Sequence, residues 1–185
     1  YLFAGSPARL AEGVTVAVQR EPRGTGDAAA AARPSLDGFD GDVLVVTGDA
    51  ATITTDLLAR LLETHRAAQA AATVLSFEPA DPGAYGRIVR DGDGSLRAIV
   101  EARDASEDEL CIREVNSSIY VFDANRLWPA LERLEPNNAQ GELYLTDTVR
   151  DLAAAGERVA VYKADDPAEA EGVNTRAELA AAAAV

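Results

Sequence analysis

Asp49, Asn174, the stretch RGTGD and a scatter of buried-looking amides and carboxylates are the residues with the types and spacing to do chemistry. Asp49 follows the apolar run VLVV and the pair Thr47-Gly48. A carboxylate there either caps the next helix or serves as a hard metal ligand. Asn174, in EGVNTR, offers a second oxygen donor, or caps a helix beginning at TRAEL. The two roles can coexist, one for each face of the amide. In RGTGD, Gly24 and Gly26 flank Thr25 just ahead of an Ala-rich segment. Backbone N–H groups in such a place can meet a base or a phosphate, or the stretch is a plain turn with a helix cap. Gln19, five residues earlier, carries an amide that both donates and accepts, which suits a base edge. Glu101 ends an apolar strand-like run and can accept two sugar hydroxyls. Asn116 lies among buried-looking residues, where an amide needs partners. NNAQGELYLTD, residues 137–147, is dense in polar groups before a helix, as a structured loop with Thr146 as cap would be.

Other chemistries are excluded by supply. His65 is the only His, so His-based metal clusters and Ser-His-Asp triads have no material. Cys111 is the only Cys, which forbids an internal disulfide and suits a reducing cytoplasm, the expected location. Both are expected to be structural, Cys111 in a short β segment and His65 on a solvated helix face. The net charge of −14 repels nucleic acid and anionic membrane, so neither is expected as a partner. It also repels nucleotides and sugar phosphates unless a cation intervenes. With so few soft ligands, that cation is expected to be an oxygen-bound divalent ion.

The elements that must position these residues alternate between strand and helix. Residues 14–19 read as a strand, 25–32 as an Ala-rich helix stopped by Pro34, and 43–47 as a parallel strand covered on both faces. Thr54 or Thr55 caps a helix carrying Leu57, Leu58, Leu61 and Leu62 at helical spacing. Residues 72–77 form the next strand. YGRIVRDGDGSLRAIVEARD reads as a hairpin turning at DGDG. A strand at 116–122, a helix at 127–134 with Pro129 in its first turn, a helix at 145–155 ended by Gly156, a strand at 159–162 and a helix at 175–185 complete the pattern. The 48% hydrophobic and 26% charged residues mark a globular chain, and the strand–helix alternation points to an α/β sandwich. Its sheet is expected to be mostly parallel, with helices on both faces and an inserted β-hairpin. Ligands of such sheets bind beyond the carboxyl ends of the strands, where Asp49 falls.

Taken together, GTG with Gln19 upstream, GD at Gly48-Asp49, YGRIVR, IVEARDA, REVNSSIYVFD, NNAQGELYLTD and EGVNTRAEL resemble one family. It is the uridylyltransferase domain of the bifunctional N-acetylglucosamine-1-phosphate uridyltransferase / glucosamine-1-phosphate acetyltransferases, the GlmU family. Each motif is modest alone, but their order and separations span nearly the whole chain. The resemblance implies a Rossmann-like nucleotidyltransferase fold. It also implies transfer of uridylyl from UTP to N-acetylglucosamine 1-phosphate, with release of pyrophosphate, for cell-wall precursor synthesis. By position, Gln19 and the backbone around Gly24 and Thr25 match residues that read the uracil. Asp49 and Asn174 match the catalytic pair that holds Mg2+. Gly86, Glu101 and Asn116 match sugar-binding positions, and Glu142, Tyr144 and Thr146 match the loop that closes over the sugar.

The departures are local. Asp27 stands where the family commonly has His, Ala51 where Pro is usual, Thr175 where a second Asn is usual, and Ser117 where Thr or Ala is familiar. The family's opening Gly-rich loop, with its Arg and Lys, has no counterpart. Residues 1–185 are therefore expected to be one nucleotidyltransferase domain incomplete at its N-terminus. The family's β-helix, which carries acetyltransferase activity and drives trimer formation, has no counterpart either, so a homotrimer is expected only of a parent chain that carries it. Two alternatives stand beside the uridylyltransferase reading. One is a non-catalytic sugar-nucleotide-binding fragment; the other is a related enzyme using another nucleotide or sugar.

Overall fold

A computed structural model describes residues 14–173. Six strands and five helices follow one another in the order α1 (Thr25–Ala30), β1 (Asp42–Val45), α2 (Thr55–Ala68), β2 (Ala72–Phe77), β3 (Arg87–Arg90), β4 (Leu96–Val100), α3 (Glu107–Leu110), β5 (Val115–Asp123), α4 (Ala124–Leu131), α5 (Leu145–Ala154) and β6 (Val159–Lys163). They build one sheet in the order β4-β3-β5-β2-β6. β1 lies beside the C-terminal half of β5, on the edge whose N-terminal end β3 occupies. Among the described residues, no helix is long and apolar enough to cross a membrane.

The side-chain alternation of β2 and β5 divides the core in two. Val74, Tyr120 and Phe122 face α4 and α5 through Leu127, Trp128, Leu145, Val149 and Leu152. Leu75, Phe77, Ile119 and Val121 face α2 through Leu57 and Leu61. Helices thus cover both faces, as expected of the class. Each fully buried Leu contributes about 1.5–3 kcal/mol. α2 starts where Thr54 Oγ1 accepts the Leu57 N–H at 3.1 Å, and the β3–β4 hairpin turns at DGDG as the sequence indicates. Gly156, at φ 79°, ends α5 as a C-terminal cap, with the Glu157 N–H returning to the Leu152 carbonyl at 3.0 Å.

Several expectations are corrected. Among the described residues the parallel character holds for the β2–β6 pairing only, and the other four pairings are antiparallel. β1 is one of these, and Leu44 on it is 43% exposed, so this strand is not covered on both faces. Residues 14–19 are not a strand: Val14, Val16 and Val18 are exposed, and among the described residues no strand lies beside them. An alternating pattern makes a strand only when a neighbour completes the ladder. α1 ends at Ala30 and gives way to a short 3-10 turn, Arg33–Leu36, that contains Pro34. α4 begins three residues early because Asp123 Oδ1 accepts the N–H groups of Asn125 (2.8 Å) and Arg126 (3.2 Å), which leaves Pro129 inside the helix. Cys111 follows α3 and is exposed, not in a β segment. His65 is buried, not solvated: it extends the Leu57–Leu61 stripe, and its Nδ1 lies 2.9 Å from Thr73 Oγ1. The expected helix at 175–185 lies outside the described residues.

Candidate active site

The pairing register gathers the expected residues. Val45 lies opposite Tyr120, Phe77 and Arg87 opposite Val115, Val100 opposite Arg87, and Ser76 beside Lys163. The C-terminal ends of β1, β2, β4 and β6 and the N-terminal ends of β3 and β5 therefore share one edge of the sheet. Asp49, Gly86, Glu101 and Asn116 all leave or enter strands at that edge.

Asn116 is 2% exposed, and its amide is engaged at both ends. Its backbone N–H donates to the Gly86 carbonyl at 2.8 Å. Its Oδ1 accepts the Ser118 N–H at 3.1 Å, and its Nδ2 donates to Tyr120 Oη at 2.7 Å. Because a backbone N–H only donates, Oδ1 must face Ser118, which fixes the amide's orientation. Ser118 sits at φ 63°, where β5 slips register against β2. Burial pushes the Tyr120 phenol far above its usual range, so it stays protonated. Beside this network, Thr146 Oγ1 donates to Glu101 Oε1 at 3.2 Å. Burial raises the Glu101 carboxyl above its ordinary value; Asp104 and Asp147 add to the rise, and the Thr146 bond opposes it. A Cβ on Gly86 would lie 3.3 Å from Glu101 Oε2 and 3.1 Å from Ile99 Cγ2, so a side chain there would press on the carboxylate.

Tyr144 and Thr146 are buried, and Tyr144 Oη accepts from Gln140 Nε2 at 2.7 Å. Asn138 clasps the Glu142 backbone from both sides, accepting its N–H at 3.1 Å and donating to its carbonyl at 2.6 Å. Thr146 does not cap α5. That service comes from Thr25, whose Oγ1 accepts the Leu145 N–H at 2.9 Å. The GTG stretch and the 142–146 stretch are one unit: Leu143 N–H donates to Arg23 O (2.7 Å) and Gly26 N–H donates to Leu143 O (2.8 Å). Gly24 makes this possible. Its φ is 119°, and a Cβ there would sit 2.6 Å from the Leu143 carbonyl oxygen. Gln19 Nε2 donates to Gly24 O (3.1 Å) and to Asp27 Oδ2 (2.7 Å), and Arg23 pairs with the other Asp27 oxygen at 2.6 Å. The Gln19 bond, helped by Arg23 and opposed by burial, holds the Asp27 carboxyl below its ordinary value.

Asp49 occupies the outer side. It is exposed, and among the described residues its carboxylate makes no hydrogen bond or ion pair. It is not a helix cap, since Thr54 fills that role. Its carbonyl accepts N–H groups from Ala51 and Val173, each at 2.9 Å. Asn174 lies outside the described residues, but it follows Val173 directly in the chain. One residue earlier, Gly172 N–H donates to Tyr85 Oη at 3.2 Å. Among the described residues no cluster of three or more His, Cys, Asp or Glu is poised to hold a metal. A lone carboxylate with an amide oxygen nearby in sequence fits Mg2+, which keeps several waters and takes further oxygens from phosphates.

Sequence reasoning missed Tyr120, Ser118 and the anchoring role of Asp27. The alternation of β5 places Tyr120 four residues from Asn116, with the register slip at Ser118 between them, but which polar groups meet across that slip is a tertiary matter. A cleft of about 620 Å3, lined in part by Asp91, Arg97, Arg150, Glu157 and Arg158, opens at the opposite end of the sheet and contains none of the expected residues.

Comparison with known proteins gives the family and the fold. A family model described as nucleotidyl transferase matches residues 7–167. The chain is similar to the protein named bifunctional protein GlmU from Pelotomaculum thermopropionicum, at 49% identity over 174 residues, covering 94% of this chain and 38% of that protein. It is 47% identical over 175 residues to bifunctional protein GlmU from Corynebacterium efficiens, covering 95% of this chain and 36% of that protein. With bifunctional protein GlmU from Brevibacillus brevis it shares 46% over 177 residues, covering 96% and 38%. The chain thus spans less than two-fifths of the length of these relatives. A crystal structure of UDP-glucose pyrophosphorylase complexed with UDP-glucose has the same fold, with a TM-score of 0.62 at 20% identity, covering 78% of this chain and 56% of that one.

Proposed function

Since the chain belongs to the nucleotidyl transferase family, we propose that it transfers uridylyl from UTP to N-acetylglucosamine 1-phosphate, giving UDP-N-acetylglucosamine and pyrophosphate. The setting is cytoplasmic synthesis of a cell-wall precursor. The observation that carries this reading is the convergence of Asp49, Gly86, Glu101 and Asn116 at one sheet edge.

In this reading a phosphate oxygen of the sugar phosphate attacks the α-phosphorus of UTP in line, and pyrophosphate leaves. The nucleophile is already anionic, so no general base is needed, which accords with the scarcity of His. The protein's work is positioning and charge neutralisation. Glu101 and Asn116 accept and donate to sugar hydroxyls, while the Gly86 backbone lies close against the ring. Tyr144, Thr146 and Glu142 close the other side. Gln19, Gly24 and Thr25 face the uracil, held there by Asp27 and Leu143. Asp49 and Asn174 would hold Mg2+, which supplies charge neutralisation to the phosphates when bound. That need is acute in a chain of net charge −14.

The test is pyrophosphate release by the full-length polypeptide given UTP, N-acetylglucosamine 1-phosphate and Mg2+. Turnover with a clear preference over dTTP and GTP is the expected result. Absence of turnover, or preference for another nucleotide, overturns the reading.

A further inference from the structure

Arg87 opens β3 and is 3% exposed, yet its guanidinium makes no ion pair among the described residues. Nη1 donates to the carbonyl of Pro82 at 3.4 Å and to that of Tyr85, Nη2 donates to the carbonyl of Gly83 at 3.1 Å, and Nε has no partner. A buried cation without a counter-ion costs several kcal/mol, so its place in the fold calls for a reason. Its fork of donors fits a crown of carbonyls that a Lys ammonium cannot match. What the crown secures is the turn at 82–85, closed by the Tyr85 N–H on the Pro82 carbonyl at 3.1 Å.

That turn stands between the two parts of the candidate site. On one side the Gly86 carbonyl receives the Asn116 N–H. On the other, the Tyr85 ring meets Phe77 edge to face, with centroids 5.1 Å apart at 83°, and its Oη receives the Gly172 N–H at 3.2 Å. The next N–H, that of Val173, bonds to the Asp49 carbonyl, and the next residue is Asn174.

We propose that Arg87 and Tyr85 are positioning residues for the metal side of the site. Arg87 fixes the 82–85 turn, and Tyr85, aimed by that turn and by Phe77, holds Gly172 and with it the Val173 N–H that bonds the Asp49 carbonyl. The assignment rests on the reading of Asp49 and Asn174 as metal ligands given above.

Tyr85→Phe in the full-length protein is the decisive variant, because it keeps the ring and its packing on Phe77 and removes the hydroxyl that accepts from Gly172. Amide hydrogen exchange at Gly172 is expected to quicken by roughly tenfold. The Mg2+ concentration for half-maximal turnover is expected to rise roughly three- to tenfold, the worth of one hydrogen bond. The KM for the sugar phosphate stays within about twofold, since Gly86 and Asn116 keep their bond. Arg87→Met should reproduce both shifts and lower the melting temperature, with Arg87→Lys intermediate; should Arg87→Met fail to fold, Tyr85→Phe decides alone. Unchanged exchange at Gly172 in Tyr85→Phe overturns the proposal whatever the activity. A parallel rise in Mg2+ requirement and sugar KM also overturns it, because that is general loosening. A wild-type protein without Mg2+-dependent turnover would sink the functional reading instead, and the exchange measurement would still decide the Tyr85–Gly172 link.

Discussion

Asn116 and Asp49 stand at the same edge of the same sheet, yet one is 2% exposed with its amide engaged at both ends and the other is exposed with a carboxylate that meets no partner among the described residues. The contrast extends to their neighbours. Glu101, Thr146 and Tyr120 are tied to one another or to Asn116 by side-chain hydrogen bonds, buried at Tyr120 and half-buried at Glu101. Among the described residues Asp49 is fixed only through its backbone, by Ala51 and Val173. The difference matches what each side is proposed to bind. Neutral hydroxyls are told apart only where donors and acceptors are set in advance and dry, because an unmatched polar group is then costly. A hydrated divalent ion brings its own charge and waters, and a dry pocket would have to strip them.

The largest expected effect separates the two sides most sharply. Asp49→Asn should cut Mg2+-dependent turnover by roughly a hundredfold to a thousandfold, the usual cost of removing one charge-stabilising group. Stability should stay within about 0.5 kcal/mol, as for other exposed substitutions. Pyrophosphate release and calorimetric melting of the same preparation check both halves. A melting shift as severe as the kinetic loss would break the contrast, since it would make Asp49 part of the wired wall.

Asn116→Ala should do the reverse on stability. It leaves the Ser118 N–H and the Tyr120 hydroxyl without their partner in a buried place, at a cost of about 2 kcal/mol, or about 4–8 °C in melting temperature for a domain of this size. The KM for the sugar phosphate should rise more than that for UTP. Equal rises in both would mean that Asn116 serves the whole cleft and not the sugar side alone.

The same contrast explains what the sequence made legible. Asp49, Glu101 and Asn116 were readable because the ends of apolar runs are where chains leave strands, and the residue types at those ends limit the chemistry. The hairpin was readable because DGDG and its flanking runs are local. The joining of the GTG stretch to Leu143, the capping of α5 by Thr25 and the bond from Asn116 to Tyr120 were not. Each is made between groups whose meeting depends on the tertiary path, and no periodicity records it. The antiparallel setting of β1 was missed for a related reason: a Val-rich run fits either direction, and only its partner β5 decides. Residues 14–19 show the same limit from the other side, a strand pattern with no ladder among the described residues.

Glu101→Gln carries the smallest expected effect and the finest test. Burial lifts the Glu101 carboxyl above its ordinary value, Asp104 and Asp147 lift it further, and the Thr146 hydroxyl only partly offsets them. The folded chain therefore holds this proton more readily than the unfolded chain does. Linkage then gives the sign: the ionised group weakens the fold above its folded pKa, and the penalty fades as pH falls through that value toward the unfolded one near 4.3. Gln keeps the shape and can still accept from Thr146, but carries no charge. It should melt higher than wild type at pH 7.5, and the advantage should shrink toward pH 4. Comparing the two proteins at each pH cancels the titration of groups far from Glu101, leaving its own and that of the coupled Asp104 and Asp147. The same change should weaken sugar-phosphate binding by roughly tenfold, because one of the two accepting oxygens becomes a donor. A variant no more stable than wild type at pH 7.5 would place Glu101 with Asp49 among the solvated carboxylates, and the dry wall would then reduce to Asn116 and its partners.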